Sequence, residues 1–216
     1  MNKLTLKLSE NELIEIVTDN NIDFKKIDFC CGNVKAYFVN EQRLRIGQQS
    51  TGVFFEALIR ILKQVIDIKL KLHESLTQDL GFMYNDYFHD LPNKKPKFIM
   101  VLASDSSSSY WVGANYKIWN TNKDANPYVT TWMYNDHEGN IIFEVTKFYK
   151  WSMQEDDLDD PEFETFDEFM KDYKPLIHRV IPRDAAIAWL DQAMKVYRGF
   201  FSSEENYIRA CKENNW

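Results

Sequence analysis

Between Tyr128 and Trp151 two runs of strand-forming residues flank Asn135 to Asn140, a segment made almost wholly of turn formers, and the pattern predicts a β-hairpin. With Asp136 to Gly139 as the loop, Tyr134 would face Ile141, Trp132 would face Phe143 and Thr130 would face Val145. One face would then carry aromatic and branched side chains for a core, and the other, with Met133, Thr131 and Glu144, would be left for solvent or a partner.

Upstream, Leu4, Leu6 and Leu8 alternate with polar residues as in a strand, while Ser9 and Glu12 have capping-box spacing ahead of a short helix at about 10 to 18. Val34 to Val39 reads as a strand, with turns at Gly32-Asn33 and Asn40 to Gln42. After Ser50 or Thr51 as cap, Phe54, Leu58, Ile61, Leu62 and Val65 recur at helical spacing and predict a long central helix, Phe54 to about Ile68. Gly81, Asp86, Asp90 and Pro92 to Pro96 suggest an irregular stretch. Phe98 to Ala103 and Tyr110 to Trp119 complete, with the hairpin, a four-strand antiparallel meander over 98–149. Helices are expected after Thr165, which has capping-box spacing to Glu168, after Pro182, and after Ser202. The fold class is therefore α+β: an antiparallel sheet against a long central helix and C-terminal helices. It is read as a single domain over 1–216, with a candidate sub-boundary at 92–97.

Composition changes this picture in one place. The formal net charge of −7 is concentrated in Glu155, Asp156, Asp157, Asp159, Asp160, Glu162, Glu164, Asp167 and Glu168, a stretch without Lys or Arg, and the rest of the chain is close to neutral. Such a segment repels phosphate backbones and attracts basic proteins. The N-terminus lacks the apolar block of a signal peptide and no apolar run is long enough to span a bilayer, so the expectation is a cytoplasmic protein without membrane contact.

Candidate chemistry is sparse. Asp86, His89 and Asp90, with His73 and Glu74, put imidazole among carboxylates, but the spacing completes no known ligand set and no metal is assigned. Cys30, Cys31 and Cys211 form no disulfide framework, and no nucleophile signature surrounds them. The seven glycines form no phosphate-cradling loop. No cofactor and no catalytic residue is assigned. What remains is a binding surface, in which Trp132 and Trp151 would anchor a partner and Glu155, Asp156, Asp157, Asp159, Asp160, Glu162 and Glu164 would steer it.

The hairpin YVTTWMYNDHEGNIIFEVTKFYKW, the acid segment QEDDLDDPEFETFDEF and the helix RDAAIAWLDQAM together resemble the small α+β immunity proteins that bacteria carry against their own polymorphic or contact-dependent toxins. The resemblance covers about the last 90 residues and rests on composition and order. It implies a non-catalytic protein that covers the active site of a toxin, often a basic nuclease, with carboxylates and aromatics. Two other readings stand beside it. One is an enzyme with a pocket between the long helix and the sheet, marked by His89 or His178 beside a carboxylate; the other is a homodimeric interaction protein.

Overall fold

The computed structural model describes residues 2–19, 22–76, 79–89, 100–102, 109–151, 162–214 and 216, with backbone alone at 100–102 and 109–110. Two four-stranded antiparallel sheets carry the chain. The first is a meander of β1 (Lys3–Lys7), β2 (Leu13–Thr18), β3 (Asn33–Val39) and β4 (Arg43–Ser50). The second is a meander of β7 (Lys117–Asn120), β8 (Val129–Asn135), β9 (Ile141–Lys147) and β10 (Ile177–Ile181). Between them in the chain, β5 (Met100–Leu102) and β6 (Ser109–Trp111) pair, among the described residues, with each other alone. The α+β class holds, but the four-strand meander runs over 117–181 instead of 98–149. A 3-10 turn at Val112–Tyr116 breaks the expected strand at 110–119, and β10 supplies the fourth strand.

The expected helix at 10 to 18 is instead β2. Ser9 does accept the backbone N–H of Glu12, at 3.1 Å, but the bond closes a hairpin turn in which the N–H groups of Leu8 and Ser9 both donate to the Glu12 carbonyl. Period two wins because Ile14, Ile16 and Thr18 bury one face against Leu4 and Leu6.

Helix α1 (Thr51–Ile66) is the central core helix, with Phe54, Leu58, Ile61, Leu62 and Val65 buried. The Thr51 hydroxyl donates to the Gly32 carbonyl at 2.9 Å, which ties the helix start to the turn before β3. At the joint between the sheets, Phe54 stacks on Trp119 at 4.4 Å, the Trp119 indole donates to the Phe54 carbonyl, and the Thr131 hydroxyl donates to the Ile46 carbonyl. Helix α4 (Arg183–Arg198) starts after Pro182, packs on α1 and β1, and donates its Trp189 indole N–H to the Lys7 carbonyl at 2.8 Å. Helices α3 (Phe166–Met170) and α5 (Glu204–Glu213) follow the expected caps, with the complete Thr165–Glu168 capping box and Ser203, one residue later than expected, at the start of α5.

The 81–96 stretch contains a helix, α2 (Leu80–His89), capped by Asp79, whose Oδ1 accepts from the N–H groups of Gly81 and Phe82. The candidate sub-boundary at 92–97 lies outside the described residues. Helix α2 lies on the second sheet so closely that a Cβ on Gly81 would come within 2.4 Å of the Thr146 side chain. The face of β8 that carries Val129, Thr131 and Met133, expected to meet solvent or a partner, is covered in turn by α1 and β4, so all seven positions of β8 are buried.

The hairpin register is shifted by one residue from expectation. Asn135 faces Ile141, Tyr134 faces Ile142, Met133 faces Phe143 and Trp132 faces Glu144. The cause is Asp136, which belongs to the strand end: its N–H donates to the Asn140 carbonyl, and its carboxylate accepts from the N–H groups of Glu138 and Asn140. This leaves a three-residue loop in which Gly139 takes the left-handed position at φ 90°. The shift brings Trp132, Tyr134, Glu144 and Thr146 onto one face, beneath α2.

Candidate functional site

Two places in this fold gather polar chemistry. The first is a cleft of about 220 Å³ at the open end of the β8–β9 hairpin, lined by residues 125–128, Lys147, Phe148, Lys150, Trp151, Glu162, Glu164 and Phe169. The strand end that lines it is held by Asn85, wholly buried on α2. The Asn85 side-chain amide donates to the carbonyls of Gly81 and Lys147 and to the Tyr173 hydroxyl, and its oxygen accepts the Tyr149 N–H at 2.7 Å. A buried amide satisfied on both ends fixes the chain where it leaves β9. From there Tyr149 points inward and donates its hydroxyl to the Glu164 carbonyl at 3.0 Å, which draws the acidic segment's C-terminal part to the hairpin. Phe163 packs edge-on to Trp151 at 5.4 Å, and Phe148 packs edge-on to Tyr128 at 5.1 Å. The Lys150 ammonium lies 5.0 Å from the Trp151 ring centre and 3.2 Å from Glu162 Oε2.

The structure thus brings together Trp151, Glu162 and Glu164 among the residues assigned to partner binding. It does not bring Trp132 to them. Trp132 has no exposed surface, donates its indole N–H to the Thr146 hydroxyl at 2.8 Å, and is packed by Tyr84 and Trp111. Helix α2 packs on the face of β8 that carries Trp132, which is therefore a core residue and not an anchor. Glu155, Asp156, Asp157, Asp159 and Asp160 lie outside the described residues.

The second place is a buried carboxylate. Glu144, 2 % exposed, has its Oε2 3.1 Å from His178 Nδ1 and accepts the Tyr134 hydroxyl at 3.3 Å, while its Oε1 has no hydrogen-bond partner among the described residues. Burial pushes the Glu144 carboxyl up to about 7, the nearby Asp79 charge adds to the rise, and the His178 and Tyr134 contacts oppose it. Asp79 is itself shifted upward by burial, against the backbone N–H bonds it accepts at the start of α2. His178 is half exposed, so the pair runs from the core to the surface. A carboxylate holding one imidazole nitrogen while the ring reaches solvent is an arrangement suited to moving a proton. The one clue in the sequence was a single acid inside IIFEVTK, an otherwise apolar and branched strand.

The remaining candidates disperse. His89, at the end of α2, stacks on Phe166 at 3.7 Å, and His73 Nδ1 lies 2.8 Å from the Ser75 hydroxyl; Asp90 lies outside the described residues. Among the described residues no group of three or more His, Cys, Asp or Glu is placed to hold a metal ion. Cys30 and Cys31 are exposed free thiols in the turn before β3, and Cys211 is free on α5. At the C-terminal end of α1 a cleft of about 200 Å³ meets the second sheet, and its lining is apolar apart from Asn140, Arg183 and backbone. No helix among the described residues is long and apolar enough to cross a membrane. Comparison with models of protein families, with curated proteins and with solved structures gave no match.

Proposed function

We propose that this chain is a non-catalytic binding protein that takes a basic protein partner at the aromatic and acidic end of its second sheet, and that the partner is a toxin of the basic, nuclease-like kind. The observation that supports this reading is the convergence of Trp151, Glu162 and Glu164 on one cleft, at the end of a segment rich in acids and free of Lys and Arg. Aromatic walls supply contact area, and carboxylates at the rim raise the encounter rate with a positive surface.

The test is capture of the partner from the source cells at low and moderate salt, followed by association kinetics. Neutralising Glu162 and Glu164 to Gln together with Asp156, Asp157, Asp159 and Asp160 to Asn is expected to slow association roughly ten-fold at low salt and to flatten its salt dependence. The thermal midpoint should stay nearly unchanged. An association rate indifferent to both salt and the six substitutions removes the reading. If the partner is a toxin, co-expression of this chain protects cells from it and the substituted chain protects less.

The Glu144–His178 pair favours a second reading, an enzyme with His178 as its base. Turnover of a small-molecule panel that disappears in His178→Gln, with the fold intact, would carry it over the first.

A further inference from the structure

Lys150 occupies the cleft in a manner that specifies what the cleft recognises. Its ammonium sits over the Trp151 ring and against Glu162, so one cation already satisfies both an aromatic face and a carboxylate there. The opening of about 220 Å³ is several times the ~30 Å³ that one water occupies in the liquid. At its rim stands Glu164, whose backbone is anchored by the Tyr149 hydroxyl and whose exposed carboxylate is paired with no cation among the described residues. Tyr128 and Phe148, packed edge-on to each other, add further aromatic surface to the lining. An apolar stem with a positive head fits these surroundings, because the rings cover the stem and the carboxylates meet the head. A neutral or anionic group would meet carboxylates without compensation.

Building on the reading of a basic partner, we propose that this cleft is a recognition pocket for a single lysine or arginine side chain of that partner, and that Lys150 is a built-in stand-in which the incoming cation displaces. Lys150 then sets the affinity from within: it keeps Glu162 and the tryptophan from attracting any passing cation, and it swings toward solvent when the partner's side chain enters. The side chain of Lys150 is already 30 % exposed, so this exchange does not require the core to open.

The experiment uses the full chain and capped tripeptides with a central lysine, arginine or norleucine, titrated while Trp151 is followed by fluorescence and by its indole N–H resonance. Lys150→Met is expected to bind the lysine or arginine peptide roughly five-fold more tightly than the unsubstituted chain, and to lose that gain when Glu162→Gln and Glu164→Gln are added. The norleucine peptide should leave the Trp151 resonance in place. Trp151→Phe, which retains a ring, should weaken binding without abolishing it. The proposal is overturned if Lys150→Met binds the cationic peptides no better, or if norleucine binds equally well. A basic partner captured in a salt-dependent manner but released at the same rate from Lys150→Met overturns the pocket and leaves the broader reading standing. Cationic peptides that bind Lys150→Met when no basic protein is captured support the pocket and remove the broader reading.

Discussion

Glu144 shows what a single buried group does to the whole. In the folded chain its carboxyl is raised by burial, with the Asp79 charge as a further cause, so it keeps a proton that the unfolded chain releases in the ordinary carboxylate range. The unfolded state therefore binds fewer protons between that range and about 7, and stability must fall as pH rises through that window and level off above it. Asp79, raised in the same direction, adds a slope of the same sign. Urea unfolding at about pH 5 and about pH 8 is expected to differ by ~1–3 kcal/mol in the unsubstituted chain. Glu144→Gln, which keeps the shape of the neutral carboxyl, should flatten that dependence and leave only the part due to Asp79. An unchanged slope in Glu144→Gln would show that the carboxyl is already ionised in the core.

At the scale of elements, Gly81 is the position where helix and sheet come closest. Its missing side chain lets α2 lie on Thr146 and near Tyr173, so Gly81→Ala is expected to lift the helix and destabilise the chain by ~1–3 kcal/mol. The Trp132 emission, now shielded, would move to the red; an unshifted spectrum with unchanged stability would place the helix elsewhere. The same glycine explains what could be read from the chain and what could not. Gly81, Asp86 and Asp90 have the composition of a loop, and only contact with β9 gives the glycine its reason, so α2 was not legible. Helix α1 was legible because five buried positions repeat at helical spacing, α3 because its capping box is local chemistry, and α4 because Pro182 marks its start. The hairpin was legible as an element but not in register, since that turned on whether Asp136 sat in the loop or at the strand end. Of the candidate site, Trp151, Glu162 and Glu164 could be named from order along the chain. Asn85, which holds the strand end beside the cleft, could not, because its four hydrogen-bond partners are spread over three separate parts of the sequence.

Across the whole molecule one continuous apolar cluster takes side chains from both sheets and from α1, α2 and α4. Leu62, on α1 and fully buried in that cluster, should therefore report on everything at once. Leu62→Ala is expected to cost ~2–5 kcal/mol and to shift a single transition in which tryptophan emission and far-ultraviolet dichroism coincide. Two separated transitions would mean that the sheets unfold as independent units. How the sheets end has a further consequence, for what happens when many copies of the chain meet. At the joint, β4 is turned toward β7 and β8, which leaves β1 and β10 as the outer strands of the two meanders. On β1 the Lys7 carbonyl is already taken by an indole from α4, and on β10 Arg179 is forked onto Glu12 beside His178. Charge and an occupied carbonyl are the usual defences of a strand against extension by a neighbour. A crowded solution of this protein should stay free of fibres, and Val180, the exposed apolar residue on β10, directly follows His178 and Arg179, which would have to be lost before the strand became a template for another molecule.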